Sequence, residues 1–309
     1  MSTVFVVPCG LSVLDQLGSK LPRGGSHVRQ FVDTVQQGAW LRGTDLADDQ
    51  AVTAAWSNRA AQKADAAGLS DVPPKRLSAE THSLATRVTA GSPRSGERIL
   101  LLSSDTAAGV SAAFCVARRL AGGPDADISY TSTPGQRDGV FVIPDPRAAV
   151  SVVRVRELRP AGAAALSAAV AGIGKVLRSA WDTGSAVEVH LTGGFKATLL
   201  HTLVMTEVLH SMTPNRVSAL YVFEDLAGTG SEEPAEPVPI GLRAFPSEYI
   251  SSMRTELTNV SAGGMLGSKS FENVGWTQDA AGVRSLTDFG YGYLAVLGRS
   301  SHMPGDDNS

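Results

Sequence analysis

The chain has 309 residues, 43% hydrophobic and 18% charged, and its 27 Lys and Arg against 30 Asp and Glu give a formal net charge of −3. This composition excludes collagen-like, coiled-coil and disordered chains. The near-neutral charge argues against general nucleic-acid binding, which needs a broad excess of cations to neutralise phosphates. For the same reason, any anionic ligand must be bound by a local site. A length near 300 residues favours two domains and a large apolar core.

The cysteines and the N-terminus predict a soluble, cytoplasmic protein without a membrane partner. Cys9 and Cys115 form no CxxC motif and no Cys/His spacing typical of a metal site. The first ten residues lack the basic and long apolar regions of a signal peptide, and no run of about eighteen apolar residues occurs.

The first half of the chain predicts strands that end in polar or glycine turns and lead into helices. The β-branched run at 3–7 predicts a strand that ends at Pro8-Cys9-Gly10. The apolar spacing from about 28 to 90 predicts a helical insertion without evident chemistry. A second strand is predicted at 98–103, followed by a polar turn at 104–106 and a helix.

The second half repeats this pattern. Residues 150–158 fit a strand or a helix. The other predicted elements are strands at 139–143, 186–191 and 217–223 and helices at 160–182 and from Phe195 to about Met212. Strands that alternate with long helices predict an α/β fold with a Rossmann-like parallel sheet covered by helices.

The C-terminal region predicts a separate small unit. The acidic, Gly/Pro-rich segment 228–239 predicts a loop at a boundary, which gives a first domain over 1–230 and a small domain over 231–300. Residues 301–309 are expected to be a disordered tail. An aromatic group near the end, best explained as core or dimer contact, comprises Phe289, Tyr291 and Tyr293.

The most informative motif is Thr192-Gly193-Gly194-Phe195-Lys196, between a predicted strand and a predicted helix. Paired glycines let the backbone approach an anion while the helix N-terminal NH groups point at it. A lysine in the first turn is unfavourable for an isolated helix and is explained if a phosphate binds there. A tight turn with a solvated lysine explains the motif equally well. The Walker A and G-x-G-x-x-G patterns are absent, so an NTPase or nicotinamide dehydrogenase has no support from its usual motif.

Two further polar turns follow predicted strands: Gly10-Leu11-Ser12 and Ser104-Asp105-Thr106. Hydroxyl groups at such positions most often cap the following helix, and they also bind phosphate or ribose. Because the carboxyl ends of parallel strands meet at one edge of a sheet, the three turns are expected to lie together, where open α/β sheets bind ligands.

The segments VVPCGLSVL, LLSSDTAAGVSAA and HLTGGFKA resemble motifs of the CRISPR-associated Rossmann-fold (CARF) family, particularly its ring-nuclease branch, which acts on cyclic oligoadenylates. The order of the motifs agrees, as does a later V-P-I-G-L run after an acidic loop. The resemblance spans roughly residues 3–245, and the LTDFG segment is similar to the small winged-helix-like units of several such proteins.

The resemblance implies a homodimer that binds a two-fold symmetric cyclic oligoadenylate across its interface, with cyclic tetra-adenylate favoured over cyclic hexa-adenylate. It places cleavage roles on Lys196 and Ser12. The family often has Asn two residues before the Thr, where this sequence has His190, which puts the ligand contact there in doubt. The implied ligand-binding residues are Gly10, Leu11, Ser104, Asp105, Thr106, His190, Thr192, Gly193, Gly194 and Phe195.

The expected reaction follows from the chemistry of the ligand. The ribose 2′-hydroxyl is adjacent to its phosphodiester, so a site that aligns it and stabilises phosphoryl charge needs neither a metal nor a cofactor. The product would be linear oligoadenylate with a 2′,3′-cyclic phosphate, and type III CRISPR signalling would be switched off.

Two alternatives remain open. One is a non-catalytic sensor or regulator whose unit at 240–299 contacts DNA or a protein, although the net acidity disfavours DNA. The other is a ligand-activated ribonuclease that uses Arg76 and His82, spaced as in the R-x4–6-H motif of HEPN ribonucleases. The remaining histidines show no metal spacing and comprise His27, His201, His210 and His302.

Overall fold

The sequence folds into a mostly parallel seven-stranded sheet with helices on both faces, which confirms the predicted α/β, Rossmann-like class. The computed structural model describes residues 2–11, 13–14, 26–57, 64, 69, 78–85, 87, 93–121, 128–135, 139–143, 148–194, 196–222 and 236–298. Within these ranges it has eight α-helices.

The order of the strands places β1 in the interior of the sheet. The strands are β1 (Thr3–Pro8), β2 (Arg98–Ser103), β3 (Ile128–Ser132), β4 (Val150–Arg154), β5 (Ala186–His190), β6 (Val217–Tyr221) and β7 (Val238–Ile240). They are arranged as β3-β4-β2-β1-β5-β6-β7, and every neighbouring pair is parallel except β6 and β7. The parallel strands therefore end at one common edge, with the loops after β2 and β5 on either side of the loop after β1.

Alternating side chains of the strands separate two cores. Phe5 and Val7 of β1 face one core, and Val4 and Val6 face the other. The first core is covered by α1 (Ser26–Gln36), α2 (Asp49–Ala55), α3 (Ala79–Ala85) and α4 (Ala107–Ala121). The second is covered by α5 (Ala163–Asp182), α6 (Lys196–Met212), α7 (Ser247–Ser261) and α8 (Asp288–Leu297). The described part of segment 28–90 is thus mostly helical and covers one face of the sheet.

The strand predicted at 139–143 is wrong. Those residues are not in a strand; Phe141 is buried, and Val140 and Val142 are exposed. The alternation that suggested a strand instead reflects the burial of a single side chain, the aromatic ring of Phe141. The strand of this region is β3, which the sequence analysis missed because only Tyr130 in it is buried and its other residues have no apolar pattern. The first five residues of the ambiguous run at 150–158 form β4, and all five are buried between β2 and β3.

The C-terminal elements share the second core with the sheet. A two-stranded hairpin, β8 (Trp276–Gln278) and β9 (Arg284–Leu286), lies between α7 and α8 in the chain. Buried Glu256 of α7 accepts hydrogen bonds from the backbone NH of Phe271 (2.9 Å) and the indole NH of Trp276 (2.7 Å). The domain boundary and the winged-helix-like unit stay predictions, and the proposed tail and residues 223–235 lie outside the described residues.

Helix α8 crosses α5 at two glycines. A Cβ atom on Gly174 of α5 would lie 2.8 Å from the carbonyl oxygen of Gly292, and one on Gly292 would lie 2.7 Å from Val170. Both distances are shorter than Cβ contacts allow, so the helices approach closely only because neither position carries a side chain.

Helix α5 is long and apolar enough to cross a membrane, by length and composition alone. Its most apolar window has a mean hydropathy of 1.2 and is 61% buried within the protein. Such burial is typical of the core helix of a soluble domain, because a lipid-facing helix needs its apolar surface uncovered.

Candidate anion-binding site

Of the three turns expected to lie together at the carboxyl edge of the sheet, those after β1 and β5 are in contact. A Cβ atom on Gly10 would lie 3.3 Å from the backbone nitrogen of Gly194. Gly194 has φ +88°, and a Cβ atom there would lie 2.6 Å from the Cβ atom of Pro8. Gly194 is thus required both by its left-handed backbone and by its close approach to β1. Ser12 and Phe195, which were expected in the site, lie outside the described residues.

Lys196 is the first residue of α6, two positions beyond Gly194, and its side chain is exposed. The first turn of a helix has NH groups without intrahelical partners and a partial positive charge. The ammonium group adds a full charge at the same place. The strand-to-helix turn therefore combines the features that attract an anion with access from solvent.

The turn after β2 has the capping role that was the default expectation. Thr106 accepts a hydrogen bond at Oγ1 from the NH of Gly109 (3.0 Å), and its hydroxyl contacts that of Ser104 at 2.9 Å. Asp105 accepts from the NH of Glu157 (2.8 Å) and lies 3.4 Å from Arg154 Nη1. These contacts join the β2 and β4 loops, and a ligand contact at 104–106 stays a prediction.

Thr192 fixes the start of the glycine turn. Its side chain is buried, and Oγ1 accepts a hydrogen bond from the NH of Val222 at 2.9 Å. The backbone NH of Leu191 donates to the carbonyl oxygen of Leu220 at 2.9 Å, so the parallel pairing of β5 with β6 extends beyond the strand end. The position of the turn is therefore set by β6.

His190 is the last residue of β5, but its side chain lies in the protein interior. Its side chain is fully buried, with Nδ1 2.8 Å from the hydroxyl oxygen of Ser83 in α3 and Nε2 3.0 Å from Oε1 of Glu188. The guanidinium of Arg87 lies 3.3 Å from the same carboxylate oxygen. Both ring nitrogens thus have partners within the protein, and the predicted ligand contact of His190 would require one of these bonds to be exchanged.

The partners of His190 determine its tautomer. An ionised Glu188 only accepts, so Nε2 carries the hydrogen, and the neutral ring accepts at Nδ1 from the Ser83 hydroxyl. Burial lowers the pKa of His190, against the raising effect of Glu188, and Arg87 lowers it further. The Ser83 hydroxyl also lies 2.9 Å from the carbonyl oxygen of Glu80, a second acceptor within its reach.

The lowered pKa of His190 predicts a loss of stability on acidification. Below about pH 6.5 the unfolded chain binds a proton at this histidine that the folded protein resists, so stability falls as the pH falls. Between about pH 7.5 and 5.5 we expect the free energy of unfolding of the wild type to fall further than that of His190→Gln. Urea unfolding at both pH values measures this difference, and parallel losses in the two proteins would contradict it.

Glu80 is the site residue that the sequence analysis missed. It lies in α3, is fully buried, and accepts at Oε1 a hydrogen bond of 2.8 Å from the NH of Gly10. A Cβ atom on Gly193 would lie 2.2 Å from the same oxygen. Burial, and then the charge of Glu80, raise the pKa of the Cys9 thiol. A carboxylate thus lies between the two glycine loops, in a segment expected to carry no chemistry.

No sequence signal identified Glu80. Four consecutive polar residues in a helix, from Glu80 to Ser83, predict a solvent-exposed turn, yet the structure buries all four. Two of them find their partners in the loop after β1 and in β5, far away in the chain. Only the tertiary packing of α3 against the sheet reveals this placement.

A metal site or a cavity elsewhere in the described residues could also bind a ligand. No group of three or more His, Cys, Asp or Glu side chains in them is arranged to hold a metal ion. A cavity of about 560 Å³ lies at the opposite, amino-terminal edge of the sheet, beside Ser2, Arg94 and Arg98. Open α/β sheets bind ligands at the carboxyl edge, so we assign the site to the loop contact and not to this cavity.

Comparison with known proteins gives one family match. Residues 75–228 match the model of a family described as CRISPR-associated protein (Cas_APE2256). The matched segment includes α3 with Glu80 and continues through the glycine turn to Lys196, whereas β1 and its loop precede it. A search of curated proteins found no significant match.

Proposed function

We propose, from the premise that the chain carries a CRISPR-associated family domain over residues 75–228, that it binds a cyclic oligoadenylate at the loops after β1 and β5 and cleaves it. The family match supports a role in a CRISPR system. The observation that carries the finer proposal is the exposed Lys196 at a helix N-terminus, beside the contact between Gly10 and Gly194.

The loop contact is suited to a phosphodiester. The NH of Gly10 already donates to a carboxylate oxygen, which is an anionic acceptor like a phosphoryl oxygen. Lys196 and the first NH groups of α6 add positive potential from the solvent side. Leu11, 47% exposed in the β1 loop, offers an apolar surface for a nucleobase.

The proposed reaction uses the nucleophile of the substrate. The ribose 2′-oxygen attacks the adjacent phosphorus, the bond to the 5′-oxygen breaks, the 2′-hydroxyl loses its proton and the 5′-oxygen gains one. Lys196 stabilises the charge that develops on the phosphoryl oxygens, and Ser12 orients the scissile ribose or phosphate. The products are linear oligoadenylates with a 2′,3′-cyclic phosphate, and the signal carried by the ring is lost.

The proposed ligand requires two copies of the chain. One chain supplies half of a pocket for a two-fold symmetric ring, so the proposed working form is a homodimer in the cytoplasm. Cyclic tetra-adenylate is the favoured ligand over cyclic hexa-adenylate. Sedimentation of the free protein tests the dimer directly, since a monomer at working concentration would contradict it.

Incubation of the purified full chain with labelled cyclic tetra-adenylate or cyclic hexa-adenylate in EDTA tests the activity. We expect linear products with a 2′,3′-cyclic end. Tight binding without turnover would instead support a sensor. Degradation of unrelated RNA only in the presence of the ring would support a ribonuclease that uses Arg76, outside the described residues, and His82, which is buried in α3.

A further inference from the structure

We propose that Glu80 is an internal competitor for the anion site: its carboxylate occupies the position between the β1 and β5 loops, and a phosphate group binds only after this carboxylate withdraws. The identity of the natural ligand rests on the proposed function. The competition does not, because it concerns any anion that binds between these loops.

The contacts of Glu80 place its charge inside the site. Oε1 lies 2.8 Å from the nitrogen of Gly10 and would be 2.2 Å from a Cβ atom on Gly193. An oxygen so close to the Cα atom of Gly193 fills the space that the absence of a side chain leaves there. The loops therefore enclose a carboxylate in this structure, and the side chain is fully buried.

A phosphate and this carboxylate exclude each other. The NH of Gly10 has one hydrogen, which is already donated to Oε1. A phosphate oxygen that accepted from this NH would lie beside the Glu80 carboxylate, and two negative charges so close together repel each other. An incoming phosphate must therefore displace Glu80, and the affinity of the site includes the cost of that displacement.

Glu80 is held in place through α3. This helix has seven residues, too few to be stable alone. It is fixed by reciprocal hydrogen bonds between Ser78 and Thr81 at its start and by the contact of Ser83 with His190. The helix that delivers the competing carboxylate is thus joined to β5, the strand that leads into the glycine turn.

Removal of the charge of Glu80 should strengthen anion binding. Glu80→Gln keeps the size of the side chain and an acceptor for the NH of Gly10, and it removes the repulsion. We expect the Kd for inorganic pyrophosphate to fall about tenfold, equivalent to about 1.4 kcal/mol. Titration of the full chain labelled with [15N]glycine, followed at the amide signals of Gly10, Gly193 and Gly194, measures this Kd.

Glu256→Gln is the matched control, since Glu256 is also buried and also accepts backbone hydrogen bonds, but in the C-terminal region. It should leave the pyrophosphate titration unchanged. Glu80→Asp provides a second variant in case Glu80→Gln does not fold: it keeps the charge but withdraws the carboxylate by one methylene, and we expect a smaller gain in affinity. Equal pyrophosphate affinity in the wild type and either folded Glu80 variant would overturn the proposal.

The same variants with cyclic tetra-adenylate separate the two proposals. A tighter pyrophosphate complex of Glu80→Gln, without binding of any cyclic oligoadenylate, would refute the proposed function and support the competition. Binding and cleavage of the ring by the wild type, with equal pyrophosphate affinity in the wild type and Glu80→Gln, would support the proposed function and refute the competition. Loss of cleavage in Glu80→Gln at unchanged affinity would also overturn the competition, because Glu80 would then act in the reaction.

Discussion

Lys196→Ala is expected to slow cleavage of cyclic tetra-adenylate in EDTA by on the order of 10²-fold, the usual loss when one donor to a developing negative charge is removed. Lys196 begins α6 beside the glycine turn and is exposed, so its ammonium group is accessible to a ligand from the solvent side. Single-turnover rates at saturating protein measure the effect on the chemical step apart from binding.

The controls for this prediction are two lysine substitutions. Lys269→Ala removes a similarly exposed ammonium group in the C-terminal region and should leave the rate unchanged. Lys196→Arg keeps the charge and should retain part of the activity, although a guanidinium differs in shape from an ammonium. A loss of less than about threefold in Lys196→Ala would remove this residue from the mechanism.

Gly194→Ala is expected to destabilise the fold by about 2–4 kcal/mol and to abolish ligand binding. The residue has φ +88°, where a side chain strains the backbone, and its Cβ atom would lie 2.6 Å from the Cβ atom of Pro8. Relief of that contact would push the β5 loop away from β1 and separate the NH groups that form the site. Urea unfolding measures the loss of stability. Titration with pyrophosphate, with Gly194→Ala introduced into the Glu80→Gln variant, measures the loss of ligand binding.

Gly184→Ala separates the two causes. Gly184 also has a left-handed backbone, with φ +78°, but a Cβ atom there would meet nothing within 4 Å. It should therefore show the backbone cost alone and keep its ligand affinity. If both alanine variants lost the same stability, the approach of Gly194 to Pro8 would not be as close as described.

Four interior strands were predictable from sequence because both of their faces are largely buried, whereas β4, equally buried, fitted a strand or a helix. Continuous β-branched and leucine runs formed β1 and β2 where expected, and β5 and β6 each ended within about two residues of the expected position. The strand β3 was not predictable, since an edge strand needs few apolar residues. The segment 139–143 has a strand-like pattern but pairs with no strand in the described part of the chain, and pairing is set by tertiary structure.

Some features of the candidate site were likewise predictable from sequence, and others were not. The short-range sequence pattern predicted the glycine turn, the position of Lys196 and the capping by Thr106, because each depends on residues that are close in the chain. It did not predict the partners of His190 or the placement of Glu80, which depend on how α3 packs on the sheet. Long-range polar contacts have no periodic signature, so they become visible only in three dimensions.

The crossing of α5 and α8 limits how this protein can change by recombination. Gly174 and Gly292 touch so closely that neither tolerates even a methyl group, although the two lie in different parts of the chain. A C-terminal segment from another protein, joined after β7, would need a helix with a glycine at this crossing. The C-terminal elements are therefore expected to be inherited together with the sheet and not exchanged as an independent cassette.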